Sequence, residues 1–141
     1  MIHVDLITKE TWKEHFSANA HKIAFAEIKD PEIDRIDFAL IVADDDKAMG
    51  YLTCREFDAD TIYWQFGGAF PGTKDTSLSW RGYQAFVEWC RPRYKRITTL
   101  IENTNLVMLE MAMKVGFRVC GVRVFKGDIL LEHVLEFTDA R

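Results

Sequence analysis

Two stretches decide the fold, Pro71-Gly-Thr-Lys-Asp-Thr-Ser-Leu-Ser79 and Asn105-Leu-Val-Met-Leu-Glu-Met-Ala-Met-Lys-Val-Gly-Phe117. The first is a short polar loop, and the apolar spacing that follows it predicts a helix from Ser79 to Cys90. The second predicts an almost wholly apolar helix over Leu106–Val115. Between the two helices, Arg96–Ile101 predicts a β-strand. The rest of the chain then forms the sheet onto which this loop–helix–strand–helix unit packs.

The remaining apolar segments show the alternation or the β-branched and aromatic content that is typical of strands. They are Ile2–Ile7, Phe38–Ala43, Met49–Phe57, Thr61–Phe66, Phe117–Phe125 and Ile129–Phe137. A further helix is predicted from about Glu10 to Glu27, with a boundary at Asp30-Pro31. The resulting order, β-α-β-β-β-α-β-α-β-β, predicts one α/β domain over residues 1–141, with a mixed central sheet and helices on both faces.

Two short segments between strands could each be a ligand site or an ordinary turn or bulge. Asp44-Asp45-Asp46-Lys47 collects three carboxylates, but its place between two strands favours a turn over a metal site. Gly67-Gly68 follows an aromatic strand and indicates either a β-bulge or the close approach of another group to the backbone.

The composition limits the class of protein. The chain has 141 residues, of which 48% are hydrophobic and 28% charged, and its net charge is −4. These values predict a globular domain that does not bind nucleic acid, and the acidic balance favours a cationic or amine partner. No apolar run is long enough to cross a membrane, and the N-terminus does not resemble a signal peptide. The widely spaced Cys54, Cys90 and Cys120 predict reduced, mostly buried thiols, no metal site and a cytoplasmic location.

The two deciding stretches resemble the GNAT superfamily of acyl-CoA-dependent N-acyltransferases. The nucleotide loop of that family reads proline, then Q/R-x-x-G-x-G/A, and the helix after it ends in a pattern like E-W-A. Here Lys74 follows Pro71 by three residues, Ser77 and Ser79 hold the places of the two small residues, and the helix ends in Glu88-Trp89-Cys90. The second family pattern, N-x-x-A-x-x-x-Y-x-x-x-G-F, matches here at Asn105 and at Gly116-Phe117, eleven residues further on.

The resemblance implies acetyl-CoA as a co-substrate. Backbone N–H groups at a helix N-terminus carry partial positive charge and can hold a pyrophosphate, and small side chains let it approach. The alternative role for Ser77 or Ser79 is to cap the helix. The resemblance also places the pantetheine arm of coenzyme A beside a splayed strand end and beside Asn105. The alternative role of Asn105 is again a helix cap. The implied cofactor-binding residues are Gly67, Gly68, Ala69, Lys74, Asp75, Thr76, Ser77, Leu78, Ser79 and Asn105.

The catalytic groups are not apparent in the sequence. Many GNAT members use a tyrosine as the general acid seven residues after the asparagine, and that position is Ala112 here. Weak candidates for acid–base chemistry are Glu56, Tyr63 and Glu102, whereas Tyr83 and His133 are predicted to be packed in the core. No Ser-His-Asp or Cys-His pattern is present.

Two functions follow from the resemblance. The first is an N-acetyltransferase that moves an acetyl group from acetyl-CoA to a small-molecule or peptide amine by direct attack. The second is an inactive GNAT-fold assembly or interaction protein, such as the divergent ones of phages and prophages, and it is motivated by Ala112 and by the glycine-free Lys74–Ser79 segment. A homodimer is compatible with either function.

Overall fold

A computed structural model describes residues 1–15, 35–70 and 76–137, without the side chains of residues 15 and 76–79. Within these ranges the elements follow the predicted order. They are β1 (Ile2–Thr8), α1 (Lys9–His15), β2 (Phe38–Asp44), β3 (Lys47–Glu56), β4 (Thr61–Ala69), α2 (Thr76–Cys90), β5 (Arg96–Glu102), α3 (Leu106–Val115), β6 (Arg118–Phe125) and β7 (Asp128–Glu136). The extension of the first helix to Glu27, the Asp30-Pro31 boundary and the residues Lys74 and Asp75 lie outside the described residues.

The seven strands form one mixed sheet in the order β1-β2-β3-β4-β5-β7-β6. Neighbouring strands are antiparallel except β4 and β5, which are parallel. Parallel neighbours need a crossover connection, and here α2 provides it. The predicted α/β class and mixed sheet are therefore confirmed.

Helices cover both faces of the sheet, as predicted. On one face, here called the α2–α3 face, the core contains alternate strand residues such as Leu40, Ile62 and Ile97 together with the apolar sides of α2 and α3. On the opposite face, here called the α1 face, Trp12 packs against Ile41 and Tyr51, and the ring centroids of Trp12 and Tyr51 lie 5.0 Å apart. The period-two alternation of a strand explains why consecutive residues supply two separate cores.

Local sequence signals set most element ends. Gly116 ends α3 in the left-handed conformation with φ 106°, where a residue without a Cβ has no steric penalty. Glu110 and Lys114, four residues apart on α3, form an exposed ion pair, with Lys114 Nζ 3.4 Å from Glu110 Oε1. The Asp45-Asp46 pair forms the turn between β2 and β3. None of the helices in the described ranges is both long and apolar enough to cross a membrane.

The two ends of the sheet differ in burial. β2 is buried along almost its whole length, whereas β6, at the far edge, exposes nearly every residue. β6 also carries a bulge at Cys120, because Val119 pairs with His133 and Gly121 with the next residue, Glu132. The prediction of buried cysteines is correct for Cys54 and Cys90 but wrong for Cys120, which this exposed bulge presents to solvent.

Candidate functional site

The parallel pair β4 and β5 separates part-way along its length. Their pairing runs from Thr61 opposite Arg96 to Trp64 opposite Thr99 and then stops. β4 nevertheless continues to Ala69 and remains paired with β3 on its other side. We call Thr61–Trp64 the closed segment of β4 and Gln65–Ala69 its open segment. Along the open segment, the edge of β4 that faces β5 has no strand partner among the described residues.

A bulge marks the point of separation. Thr53 of β3 pairs with Phe66 and Cys54 with Trp64, so Gln65 is the extra residue on β4. A bulge increases the local twist of a strand, and this one lies directly after the last residue pair of β4 and β5. The hydroxyl of Thr99 donates a hydrogen bond of 3.0 Å to the carbonyl of Trp64, the last paired residue. Thr99 therefore fastens the two strands together where they divide.

Both helices on the α2–α3 face begin at this open end. β4 and β5 are parallel, α2 follows β4, and α3 follows β5, so the helix N-termini lie beyond the carboxyl ends of the two strands. The carboxyl ends of parallel strands are where open α/β sheets place their ligands. Thr76 begins α2, three residues before the predicted start, which puts Thr76–Ser79 in its first turn. The backbone N–H groups of a first turn have no partners within the helix.

Asn105 caps α3. Its Oδ1 accepts a hydrogen bond from the backbone N–H of Met108 at 3.3 Å. The structure confirms the capping role of this residue, and a role beside the pantetheine arm of coenzyme A stays a prediction.

The glycines of the open segment have different surroundings. Gly67 pairs with Leu52 and Gly68 with Tyr51. A Cβ on Gly68 would lie 3.0 Å from the hydroxyl oxygen of Tyr51, so the close approach predicted at this position is made by a side chain of the protein itself. The bulge lies two residues before the glycines. Ala69 ends the segment opposite Gly50.

The three candidate acid–base residues are spread along β3, β4 and β5. Glu56 lies at the closed end, where its backbone N–H donates to Asp37 Oδ2 at 2.6 Å. Burial, together with the nearby charge and hydrogen bonding of Glu56, raises the pKa of Tyr94. Tyr63 lies one residue before the last pair, with its ring stacked on that of Phe57 at 5.2 Å. Glu102 is exposed at the open end of β5. The structure thus places Glu102 near the open segment and Glu56 far from it.

The two residues predicted to be core are buried. Tyr83 of α2 is 8% exposed, and burial raises the pKa of its phenol. His133 is 1% exposed, and its Nδ1 lies 3.0 Å from the carbonyl oxygen of Leu131. Ala112 is fully buried, and because it is an alanine, α3 presents no phenol at this position. Thr99 is not identifiable from the sequence, because a threonine in a β-strand carries no signal of its own.

Solved structures share this fold. The ribosomal-protein-S18-alanine N-acetyltransferase of Escherichia coli superposes with a TM-score of 0.78 at 9% identity, over 100% of this chain and 97% of that one. A GNAT family acetyltransferase of Elizabethkingia anophelis with acetyl-CoA bound gives 0.74 at 12% identity, over 96% and 98%. The chain has the GNAT fold. Naa50 of Arabidopsis thaliana, solved with the bisubstrate analogue CoA-Ac-MVNAL, gives 0.73 at 10% identity, over 96% and 99%.

The evidence for the GNAT fold is structural. No protein-family profile matches the sequence, and no curated protein matches it. The match nevertheless extends over nearly the full length of this chain and of each structure compared. A GNAT fold is therefore built here by a sequence whose identity to these structures is 9–12%.

Proposed function

We propose that the protein is an N-acetyltransferase that transfers the acetyl group of acetyl-CoA to an amine. The observation that carries the proposal is the separation of β4 from β5 beside the N-termini of two helices. A GNAT-fold protein whose structure is similar holds acetyl-CoA. The acceptor is a small-molecule or peptide amine, and the amine attacks without a covalent intermediate on the enzyme.

The open segment suits the pantetheine arm of acetyl-CoA, which carries the acetyl group. Its edge toward β5 offers backbone N–H and C=O groups, which are strong hydrogen-bonding groups that need partners when they are covered. Gly67 and Gly68 keep this edge free of large side chains. The residues proposed to line the arm are Gly67, Gly68 and Ala69, with Asn105 across the opening.

The first turn of α2 fits the pyrophosphate. Its N–H groups and the positive end of the helix dipole favour a negatively charged group. The residues proposed here are Thr76, Ser77, Leu78 and Ser79, with Lys74 and Asp75, which precede them in the sequence. Acetyl-CoA supplies a thioester whose carbonyl carbon an amine can attack. The protein contributes mainly position, since holding both reactants in place replaces a bimolecular encounter by a local one.

Glu102 is the proposed base. It is the only one of the three candidates at the open end of the sheet, and it is exposed and able to exchange protons with water. Its task is to take a proton from the ammonium form of the acceptor, directly or through one water.

Isothermal titration calorimetry with acetyl-CoA tests the site. We expect micromolar binding by the wild type and a loss of about 100-fold or more in the Ser77→Trp/Ser79→Trp variant, whose indoles block the helix N-terminus. Gln84→Trp is the matched control, since it adds an indole to an exposed position of the same helix away from its start, and it should bind like the wild type. No binding by the wild type at millimolar acetyl-CoA would reject the enzyme and favour an assembly or interaction protein.

A further inference from the structure

The exposed apolar side chains of the protein are gathered at one end of the sheet. Among the described residues, eleven large hydrophobic side chains are exposed, and eight of them lie on α3 or on the β6–β7 hairpin. Single exposed apolar residues are normal on a protein surface, whereas a group of neighbouring ones marks a surface that another molecule covers.

Three valines of β6 lie on the same face of the sheet. Their partners on β7 are alternate residues, and the pairs are Val119–His133, Val122–Leu131 and Val124–Ile129. Directly paired residues project to the same face, and the ring of His133 meets that of Phe117, in the core of the α2–α3 face, at 6.5 Å. The valines therefore point to the α2–α3 face, where all three are more than half exposed.

The bulge at Cys120 produces this alignment. Val119 and Val122 are three residues apart, and in a regular strand an odd separation would put them on opposite faces. The extra residue changes the phase of the strand, so that both point the same way. The opposite face of the hairpin carries the ion pairs of Arg118 and Arg123. A strand pair with one charged and one apolar face is typical of a sheet whose apolar face is covered.

The flank of α3 next to the valines is also apolar. Lys114 and Val115 line the groove between α3 and α2, which packs on the β1–β3 side of the sheet. Since successive helix residues are about 100° apart, Met113 projects from the other flank, toward β6. Met113 is 72% exposed, and Leu106, two turns earlier on the same flank, is equally exposed.

We call the resulting surface the α3–β6 patch. Its members are Leu106, Met113, Val119, Val122, Val124 and Ile129. At their observed exposure, these side chains offer together on the order of 400 Å² of apolar surface. A standard interface buries about 800 Å² on each partner, of which somewhat more than half is apolar. The patch therefore supplies the apolar part of one side of a stable interface.

The charges that border the patch indicate the kind of partner. Glu110 and Lys114 are exposed on α3, and Lys126 and Asp128 are exposed at the hairpin turn, so the border carries two charges of each sign. A membrane surface or a nucleic acid would be bound by a basic border. A border of balanced sign suits a second copy of the same surface, because each protomer brings both acids and bases to the other.

We propose that two copies of this chain form a dimer by packing their α3–β6 patches together across a two-fold axis. The same surface is then used on both protomers, so the assembly is closed at two chains. Contact is between the faces of the hairpins, and the free edge of β6 takes no part. The inference does not depend on the proposed acetyltransferase activity.

Sedimentation velocity at protein concentrations from about 1 to 100 μM tests the dimer. We expect the wild type to sediment as a dimer and Val122→Glu to weaken association by about 100-fold or more, because its carboxylate would be buried without a partner. Leu6→Glu is the matched control. Leu6 is exposed on the same face of the other edge strand, opposite Leu40 of the core, and this variant should remain a dimer.

Met113→Glu is a second variant on a different element. It should dissociate the dimer as Val122→Glu does, and it keeps α3 intact because glutamate is a good helix former. Far-UV circular dichroism of each variant should match that of the wild type, which separates dissociation from unfolding.

Methionine oxidation by peroxide maps the interface, because only an accessible thioether is converted quickly to the sulfoxide. Mass spectrometry should show Met113 oxidised about fivefold or more slowly in the wild-type dimer than in Val122→Glu. The exposed Met1, at the other edge of the sheet, should react equally in both and controls for the dose of peroxide.

A wild type that stays monomeric at about 100 μM would overturn the proposal. The same conclusion would follow from a dimer that survives both glutamate variants, from equal dissociation of Leu6→Glu, or from equal oxidation of Met113 in dimer and monomer. An assembly that keeps growing with concentration would contradict the two-fold arrangement. Binding of acetyl-CoA is measured separately by calorimetry, so failure of the dimer and failure of the proposed function are distinguishable.

Discussion

The closed and open segments of β4 belong to one strand but differ in how they are held. In the closed segment β4 pairs on both sides, Thr61, Ile62 and Trp64 are buried, and Arg96 Nη1 donates to Thr61 Oγ1 at 2.9 Å. In the open segment, pairing continues only with β3, and no residue is fully buried. The first segment is built for stability. The second leaves backbone groups available to a ligand, which a fully paired strand cannot do.

The largest loss of stability is expected when Trp64 is removed from the closed segment. Its ring meets those of Tyr83, Phe117 and Phe86 at 5.6, 5.8 and 6.5 Å. Trp64→Ala should therefore lower the free energy of unfolding by about 3–5 kcal/mol, as measured by urea denaturation. Phe57→Ala, at an aromatic residue that is 57% exposed, serves as the control and should cost less than about 1 kcal/mol. Similar losses in the two variants would show that the closed segment is not the anchor of the sheet.

Alkaline pH should weaken the core that contains the closed segment. Burial raises the pKa of the Cys90 thiol from 9.0 to about 12. Between these values the unfolded chain binds fewer protons than the folded one, so stability falls as pH rises above 9 and is unaffected below it. The single thiol should lower the free energy of unfolding by about 2 kcal/mol between pH 9 and 11.

Urea midpoints at pH 8, 9, 10 and 11 measure this loss. Cys90→Ala is the control, because removing the thiol should reduce the decrease of the urea midpoint with pH by the part that Cys90 contributes. The residual slope then belongs to the other buried acids, which include Cys54, whose pKa is raised in the same direction. A variant with the wild-type slope would contradict the assignment to Cys90.

The smallest effect concerns two adjacent threonines at the division itself. Thr99→Val removes the hydroxyl that holds the Trp64 carbonyl, and should destabilise the fold by about 1 kcal/mol. Thr98→Val removes a buried hydroxyl that has no hydrogen-bond partner in the described ranges, and should be neutral or slightly stabilising. Urea unfolding measures both variants, and each serves as the control for the other. Equal effects would show that the Thr99 hydrogen bond does not fasten the strands.

Local patterns were enough to predict most of the secondary structure. The bounds of α3 agree with the prediction, because an apolar run, a capping asparagine and a stop glycine all mark them. The strand order along the chain is also as predicted. The strand expected to end at Phe66 instead continues to Ala69, since pairing of Gly67 and Gly68 with β3 overrides the weak strand preference of glycine.

The candidate site was only partly predictable. The Gly67-Gly68 pair and the helix N-terminus both point to the open end of the sheet, where the proposed site lies. The division of β4 from β5, the bulge at Gln65 and the hydrogen bond from Thr99 all depend on partners far apart in the sequence, and no local pattern carries them. The place of Tyr83 on an apolar helix face predicts a core residue, which the structure confirms. Only the structure shows that its hydroxyl has no partner among the described residues.

The exposed strand β6 has a consequence for the behaviour of the protein in concentrated solution. A free strand edge offers a template on which further chains can add, as in fibril growth. The bulge at Cys120 puts the two halves of β6 out of phase, so a regular incoming strand can match only one of them. Arg118 and Arg123 are paired with Glu136 and Glu132, whereas the exposed Lys126 just beyond β6 adds a positive charge of the kind that disfavours edge-to-edge pairing. We therefore expect the bulge to hinder the addition of a further strand beside β6.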